Sequence, residues 1–472
     1  TMAQNLKFFF SYQVGFMFWR YFMWNFAGRQ NDIQGHGGIL KGNWISGIKG
    51  IDAMRLGPQD KLPYSMTWNK GYNRFYFLPL ILGLIGMFYH FKNDKHDASI
   101  VMLLFIMTGL AIVVYLNQTP YQPRERDYAY AGATYAFTIW IGMAVAAIGN
   151  WLGKKTNRMA AMSVSLIVCL LAGPVLMAKE GWDDHDRSHR FTSRDFASNY
   201  LNSIAPNGTI FTNRDNDTFP LWYAQDVEGI RTDVRVINLS LLNTDWYIDQ
   251  MKRKAYDSPP VPFTWRHDQY VQGTRDYIPF VDRKLEGYKD LRGVMDFILS
   301  DNPSAKVTLG GELVNYYPTK KFFIPVDKAA VIKNGVVRPE DESKIVDTIF
   351  FEIGKNYLMK ADLMILDLIA NNDWTRPIYF AITVGNDSYL NLEDYFQLEG
   401  LAYRFVPIKG PKRSDGQTGM VNSTVMYDNM MNKFKWGNMN DERVYLDQNY
   451  LNMTMRKVKR ILLSMFWSAV LR

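Results

Sequence analysis

The runs ASIVMLLFIMTGLAIVVYL (Ala98 to Leu116) and YAYAGATYAFTIWIGMAVAAIGNWL (Tyr128 to Leu152) carry no Asp, Glu, Lys or Arg over 19 and 25 consecutive positions. Soluble helices keep a polar face, so stretches of this length without one suit a bilayer better than a water-facing fold. Two neighbours share the character, Phe75 to Phe91 and Met159 to Ala178. From Tyr72 to Ala178 only 12 of 107 residues are charged, against 88 of the other 365. Four segments are thus expected to cross about 30 Å of hydrocarbon as helices.

The whole chain has 472 residues, 54 Lys or Arg against 46 Asp or Glu, and a net charge of +8. That excess is mild, and no nucleic-acid partner is expected. Cys169 is the single cysteine, which excludes an intramolecular disulfide framework and a cysteine-based zinc site. The mean hydropathy of −0.20 averages a membrane third with two polar parts.

Lys92 and Lys95 separate the first and second apolar segments, and Lys154, Lys155 and Arg158 separate the third and fourth. The positive-inside rule puts these short loops in the cytoplasm, and an even number of spans then puts residues 1–71 and 180–472 outside it. Thr1 opens a segment with no signal-peptide order, so the chain is expected to begin inside a longer protein. Phe8 to Phe26 is aromatic but interrupted by Arg20, which suggests a helix at the membrane interface rather than a fifth span.

The expected organisation is an extracytoplasmic or interfacial segment at 1–71, a four-span region at 72–178, an α/β soluble domain at 179–400 and an extension at 401–472. In the third part GTIFTN (Gly208 to Asn213), a helix through FPLWYAQDVEG and DVRVINLSLL (Asp233 to Leu242) read as a βαβ unit. Ser193 to Ser203, Asp245 to Lys254 and Gly287 to Leu299 read as helices. AKVTLG (Ala305 to Gly310) and RPIYFAI (Arg376 to Ile382) read as further strands of a mainly parallel sheet. DSPPVPF (Asp257 to Phe263) reads as a surface loop, because successive prolines withhold amide donors.

Four constellations could carry chemistry. In WRYFMWNFAGRQND (Trp19 to Asp32), Arg20, Asn25, Arg29, Gln30 and Asp32 alternate with aromatics; this suits a lipid-linked phosphate or a sugar, or simple anchoring at the interface. In PYQPRERDYAYAG (Pro120 to Gly132), Arg124 and Arg126 flank Glu125; they could bind a phosphate, or pair with Glu125 and Asp127. In WDDHDRSHR (Trp182 to Arg190), His185 and His189 would share a helix face near Asp183 and Asp186, a metal-ligand spacing that a polar helix start also explains. In FTNRDNDTFP (Phe211 to Pro220), Asp215 and Asp217 follow a strand, where an Asp-x-Asp could hold a metal on a nucleotide diphosphate or Asp217 could cap the next helix. No metal site is expected.

At these residues the chain also resembles a family. The runs WRYFMWNFAGRQNDIQGHGG, NQTPYQPRERDYAYAG, WDDHDRSHRFTSRDFASNYLNS, FTNRDNDTFPLWYAQDVEGIRTDVRVINLSLLNTDWYIDQM and NYLNMTMR resemble large bacterial membrane proteins long catalogued as a domain of unknown function and related to protein O-mannosyltransferases. The resemblance implies a GT-C glycosyltransferase of the bacterial inner membrane with its large domain in the periplasm. It would take sugar from a polyprenyl-phosphate donor, without a further cofactor, and place it on Ser or Thr of exported acceptor proteins. It also implies a longer N-terminal membrane region that carries the catalytic carboxylate, and helical repeats where KVKRILLSMFWSAVLR stands, as though this were a fragment. Arg20, Arg29, Arg124 and Arg126 would then help to hold the donor phosphate. The alternative is a membrane-anchored, non-catalytic binding or assembly module of the envelope.

Overall fold

Three helices are long and apolar enough to cross a membrane among the described residues: Lys95–Leu116, Asp127–Leu152 and Arg158–His185. The computed structural model describes residues 1–122, 125–411, 417–438 and 441, in two units, Thr1–His189 and Arg190–Asp441. Arg124, the NYLNMTMR run and the basic, apolar C-terminal segment lie outside the described residues.

At 1.5 Å per residue the 22, 26 and 28 residues of these helices reach about 33–42 Å, enough for the hydrocarbon layer. The last runs well beyond the expected Ala178. It continues past Pro174, whose missing amide is accommodated in a π-helical turn, Leu171–Val175. The first expected span is shorter than anticipated. Leu78–Asn93 has 16 residues, about 24 Å, because Tyr76 and Phe77 take left-handed backbone and stop the helix on its amino-terminal side. It packs along Ala131–Leu152, where Gly86 meets the backbone of Trp140; a methyl group would not fit there.

Phe8 to Phe26 is also more deeply packed than a helix lying on an interface. Three successive helical pieces, Met2–Phe8, Phe9–Trp19 and Arg20–Phe26, lead the chain into the bundle. Phe18, Phe22 and Phe26, one helical turn apart, are buried against Phe105, Tyr130 and Phe137. Arg20 does not interrupt this packing because internal partners take its donors. Its Nε donates to Phe16 O (2.8 Å), and its Nη1 donates to Gly42 O (2.7 Å) and to the Glu125 carboxylate (3.1 Å).

The second unit is built on a mixed six-stranded sheet in which three of the five pairings are parallel and two antiparallel, so the expected mainly parallel sheet holds only in part. Its order is Met420–Val421, Phe396–Leu398, Ala402–Phe405, Ile378–Ala381, Thr209–Thr212, Arg235–Asn238. Thr209–Thr212 and Arg235–Asn238 pair in parallel around the Asp215–Asp226 helix, the βαβ unit seen in the sequence. Ile378–Ala381 joins them in parallel, but its other neighbour, Ala402–Phe405, is antiparallel, and the sheet continues past residue 400. The Thr192–Asn202, Asp245–Met251 and Leu291–Leu299 helices form where expected, but the second stops three residues short of Lys254 and the third starts four residues after Gly287, because Lys289–Asp290 is a strand. Lys306–Leu309 is a strand outside the main sheet. It turns at Gly310 and Gly311, both at positive φ, into an antiparallel hairpin with Glu312–Asn315.

The proline loop is not merely surface. Val261 and Phe263 are buried, and two buried arginines supply the donors that the prolines lack. Arg376 donates to Pro259 O and Pro260 O (both 3.0 Å) and to Ser258 Oγ (2.9 Å), while Arg235 donates to Arg253 O (2.6 Å). Burial, and then the neighbouring Arg235 charge, bring the Arg376 guanidinium down to about 10.

Candidate functional site

Three of the four sequence constellations converge in the first unit. Trp24 and Asn25 lie on the Arg20–Phe26 helix. Two residues on, the chain extends into Gly28–Arg29, paired antiparallel with Asn73–Arg74, and this pairing fixes the Arg29 backbone. Asp127 opens the Asp127–Leu152 helix, and Asp184 and His185 close Arg158–His185. Because these two helices follow one another through the turn at Gly153 to Asn157, Asp127 and His185 lie at the same end of the bundle. Together they line a cleft of about 510 Å³ with Tyr21, Trp24, Arg29 and Trp182 among the walls.

Arg29 is the group in this cleft with capacity to spare. Its guanidinium carbon lies 4.3 Å from the centre of the Trp24 ring, and its buried Nε has no hydrogen-bond partner. Among the described residues no ion pair engages it. The ring holds the flat cation in place while leaving its N–H edge for a ligand. Arg20 is different: it stacks on the same indole at 4.4 Å, but its Nε donates to Phe16 and its Nη1 to Gly42 and Glu125. Glu125 also accepts from the Gly35 amide at 3.2 Å, so this carboxylate closes a polypeptide loop onto the bundle. Arg126 is exposed and lines a small neighbouring recess with Arg20 and Glu125.

His185 Nδ1 lies 2.8 Å from Asp184 Oδ1 and 2.7 Å from Gly181 O. Both neighbours are acceptors, so the hydrogen-bond network assigns the proton to Nδ1 and leaves Nε2 as an acceptor. Nothing in the sequence distinguishes Asp184 from its neighbour Asp183; only the helix shows that it is the buried partner of His185. The expected sharing of a helix face by His185 and His189 does not occur. The helix ends at His185, Asp186 turns extended, and His189 sits beyond it with φ of 61°.

The fourth constellation belongs to the second unit and its two aspartates point to different jobs. Asp215 is exposed at the first position of its helix. Asp217 is buried; one carboxylate oxygen accepts the Arg214 amide at 3.0 Å and the other accepts the Thr383 hydroxyl. Thr212, Thr218 and Asn238 continue this polar cluster across the carboxyl ends of the strands, with Thr212 Oγ1 2.7 Å from Thr218 Oγ1 and Asn238 donating to Thr218 at 2.9 Å. No group of three His, Cys, Asp or Glu side chains among the described residues is arranged to hold a metal ion.

The chain is a helical bundle, three of whose helices among the described residues are long and apolar enough to cross a membrane, joined in sequence to a mixed α/β unit. Residues 193–425, just under half of the chain, match the family model described as TMEM260-associated domain 2. No curated protein and no solved structure matches the chain.

Proposed function

We propose that the chain is part of a membrane glycosyltransferase that transfers sugar from a polyprenyl-phosphate donor to Ser or Thr of exported proteins, and that Arg29 binds the donor phosphate. The observation that carries the reading is the Arg29 guanidinium, stacked on Trp24 without an internal hydrogen-bonding partner, in a cleft at one end of helices long enough to cross a bilayer. A lipid-linked phosphate presents its charge at that depth, and a guanidinium edge pairs with it through two charge-assisted hydrogen bonds.

Motif resemblance to protein O-mannosyltransferase-related proteins supports the class, as does the match to a TMEM260-associated domain. The lysine-bearing turn at 154–158 lies at the opposite end of the bundle from the cleft, which supports a cleft that opens away from the cytoplasm, to the bacterial periplasm. His185, with Nδ1 held by Asp184 and Gly181, is placed to take or give a proton at Nε2 beside the bound head group.

The test is a transfer assay with full-length protein, a polyprenyl-phosphate sugar and an exported acceptor. Transfer should require the lipid-linked donor and fall when Arg29 is replaced. A full-length protein that binds the acceptor yet transfers nothing from any polyprenyl-phosphate sugar would support the non-catalytic envelope module instead.

A further inference from the structure

The Arg190–Asp441 unit holds a cavity of about 400 Å³ at the amino-terminal edge of the Ile378–Ala381 strand, the opposite end of that strand from Thr383 and Asp217. Its volume is within the range of about 300–1,000 Å³ that small-molecule sites occupy. Trp374 forms one wall, stacked on Phe405 with ring centroids 5.6 Å apart and planes 15° from parallel. Asp373 and Trp374 both take left-handed backbone, φ 45° and 58°, a conformation unusual for such residues in succession.

The polar lining mixes both charges. Asp290 and Asp327 each spend one carboxylate oxygen on a helix cap, accepting the Gly293 amide at 3.1 Å and the Ala330 amide at 3.0 Å; the other oxygen of each has no partner among the described residues. Arg376 lies beside them, 7% exposed, with its Nη atoms bound to the proline loop and its Nε unpaired. Arg292 donates to Asp373 at 2.9 Å.

An anion would face Asp290 and Asp327, and a cation would face Arg376 and Arg292. A neutral molecule rich in hydroxyl groups meets both, since each hydroxyl donates to a carboxylate and accepts from a guanidinium. A flat face of C–H groups on the same molecule would lie against the indole. We infer that this cavity is a binding site for a neutral saccharide, free or attached to a protein. The inference does not depend on the donor-phosphate reading of the other unit.

The experiment is saturation-transfer NMR on the full-length protein in a detergent that contains no sugar. The probes are a panel of neutral mono- and disaccharides, the corresponding sugar phosphates, and one glycopeptide with its unglycosylated peptide. At least one neutral saccharide should receive saturation, strongest on the ring protons of one face. Stronger binding of the glycopeptide than of its free sugar would identify a protein-attached source, and the reverse a free one; binding of the bare peptide alone would overturn the site.

Trp374→Ala should abolish the signal, but this ring also packs in the core. The deciding variant is therefore Asp290→Asn with Asp327→Asn, because asparagine still caps a helix. A hydrogen bond to a charged group contributes about 1.5–3 kcal/mol, so affinity should fall about tenfold or more while the melting temperature holds. Overturning results are the absence of any neutral saccharide signal, preferential binding of the sugar phosphates, or equal saccharide binding by wild type and the double variant.

Discussion

The Arg29 guanidinium lies 4.3 Å from the centre of the Trp24 indole, on a ring that Arg20 also approaches to 4.4 Å. Two like charges against one aromatic ring repel each other unless each has something else to satisfy. Arg20 has the Glu125 carboxylate at 3.1 Å. Arg29 has no equivalent among the described residues, and an anion in the cleft would complete the symmetry.

Arg29→Lys should therefore affect ligand binding and spare the fold. Lysine keeps the charge but loses the flat fork, so donor-dependent transfer by the full-length protein should drop about tenfold or more and the donor requirement should rise. Thermal melting should be unchanged, because no internal hydrogen bond is lost. Wild-type donor dependence in a stable Arg29→Lys protein would remove this residue from the phosphate site. Arg126, exposed beside the neighbouring recess, takes the same test.

Arg20→Lys should do the reverse. Three directed bonds, to Phe16, Gly42 and Glu125, cannot be matched by an ammonium at the end of a flexible stem. Leaving a half-buried carboxylate and carbonyls short of donors costs about 1–3 kcal/mol per group, so the variant should express poorly or melt early in detergent. An Arg20→Lys protein of normal stability and reduced donor affinity would instead place Arg20 with Arg29 at the ligand.

How much of this was legible in the sequence follows from the range of the interactions. Ala98 to Leu116 declares itself because the missing charges are local, and the βαβ unit at 208–242 because its strands and helix are consecutive. Phe8 to Phe26 misleads because the partners of Arg20 lie 22 and 105 residues away. The sequence reads as a mainly parallel sheet because Ile378–Ala381 does pair in parallel with Thr209–Thr212, whereas the antiparallel pairings come from Ala402–Phe405 and Phe396–Leu398, short strands with no strong pattern. Within the cleft, Arg29 was visible as a residue type beside aromatics. That Arg20 is committed and Arg29 is not depends on Gly42 and Glu125, which no motif links to them.

Asp217→Ala should lower stability by about 1–3 kcal/mol, since it strips an acceptor from the Arg214 amide and from the Thr383 hydroxyl inside the polar cluster. Asp217→Asn keeps one acceptor and should cost less. Asp215→Ala, on an exposed first-turn residue, should change little. A melting curve left unchanged by Asp217→Ala, together with manganese-dependent loss of transfer, would favour a metal site on these aspartates over the structural role.

Acid should weaken the second unit partly through Asp233. Its hydrogen bonds from Arg231 (2.8 Å), with the Asn207 amide adding to them (2.9 Å), hold this carboxyl below the usual range. A depressed folded value means the native state favours the ionised form. Its contribution is full above the unfolded value of about 3.9 and is lost as pH falls through the folded value. Asp233→Asn should thus flatten the acid limb of a melting-temperature profile between about pH 2 and 5 relative to wild type. An identical acid limb in the variant would show that other carboxylates govern it.

The side of the membrane on which the cleft opens can be predicted without deciding whether Leu78–Asn93 crosses. Lys95–Leu116, Asp127–Leu152 and Arg158–His185 follow one another in the chain, so Lys95 and the turn at 153–157 share one end of the bundle. Leu116, Asp127 and His185 share the other. The positive-inside rule, applied to Lys154, Lys155 and Arg158, predicts the cytoplasmic side for the first end. With buried Cys169 replaced by Ala, a cysteine at exposed Lys154 should resist an impermeant thiol reagent in intact spheroplasts and react after permeabilisation. A cysteine at Glu286, exposed in the loop before the Lys289–Asp290 strand, should react in both. Labelling of Lys154→Cys in intact cells while Glu286→Cys stays protected would invert the topology, and the donor-phosphate cleft would then face the cytoplasm.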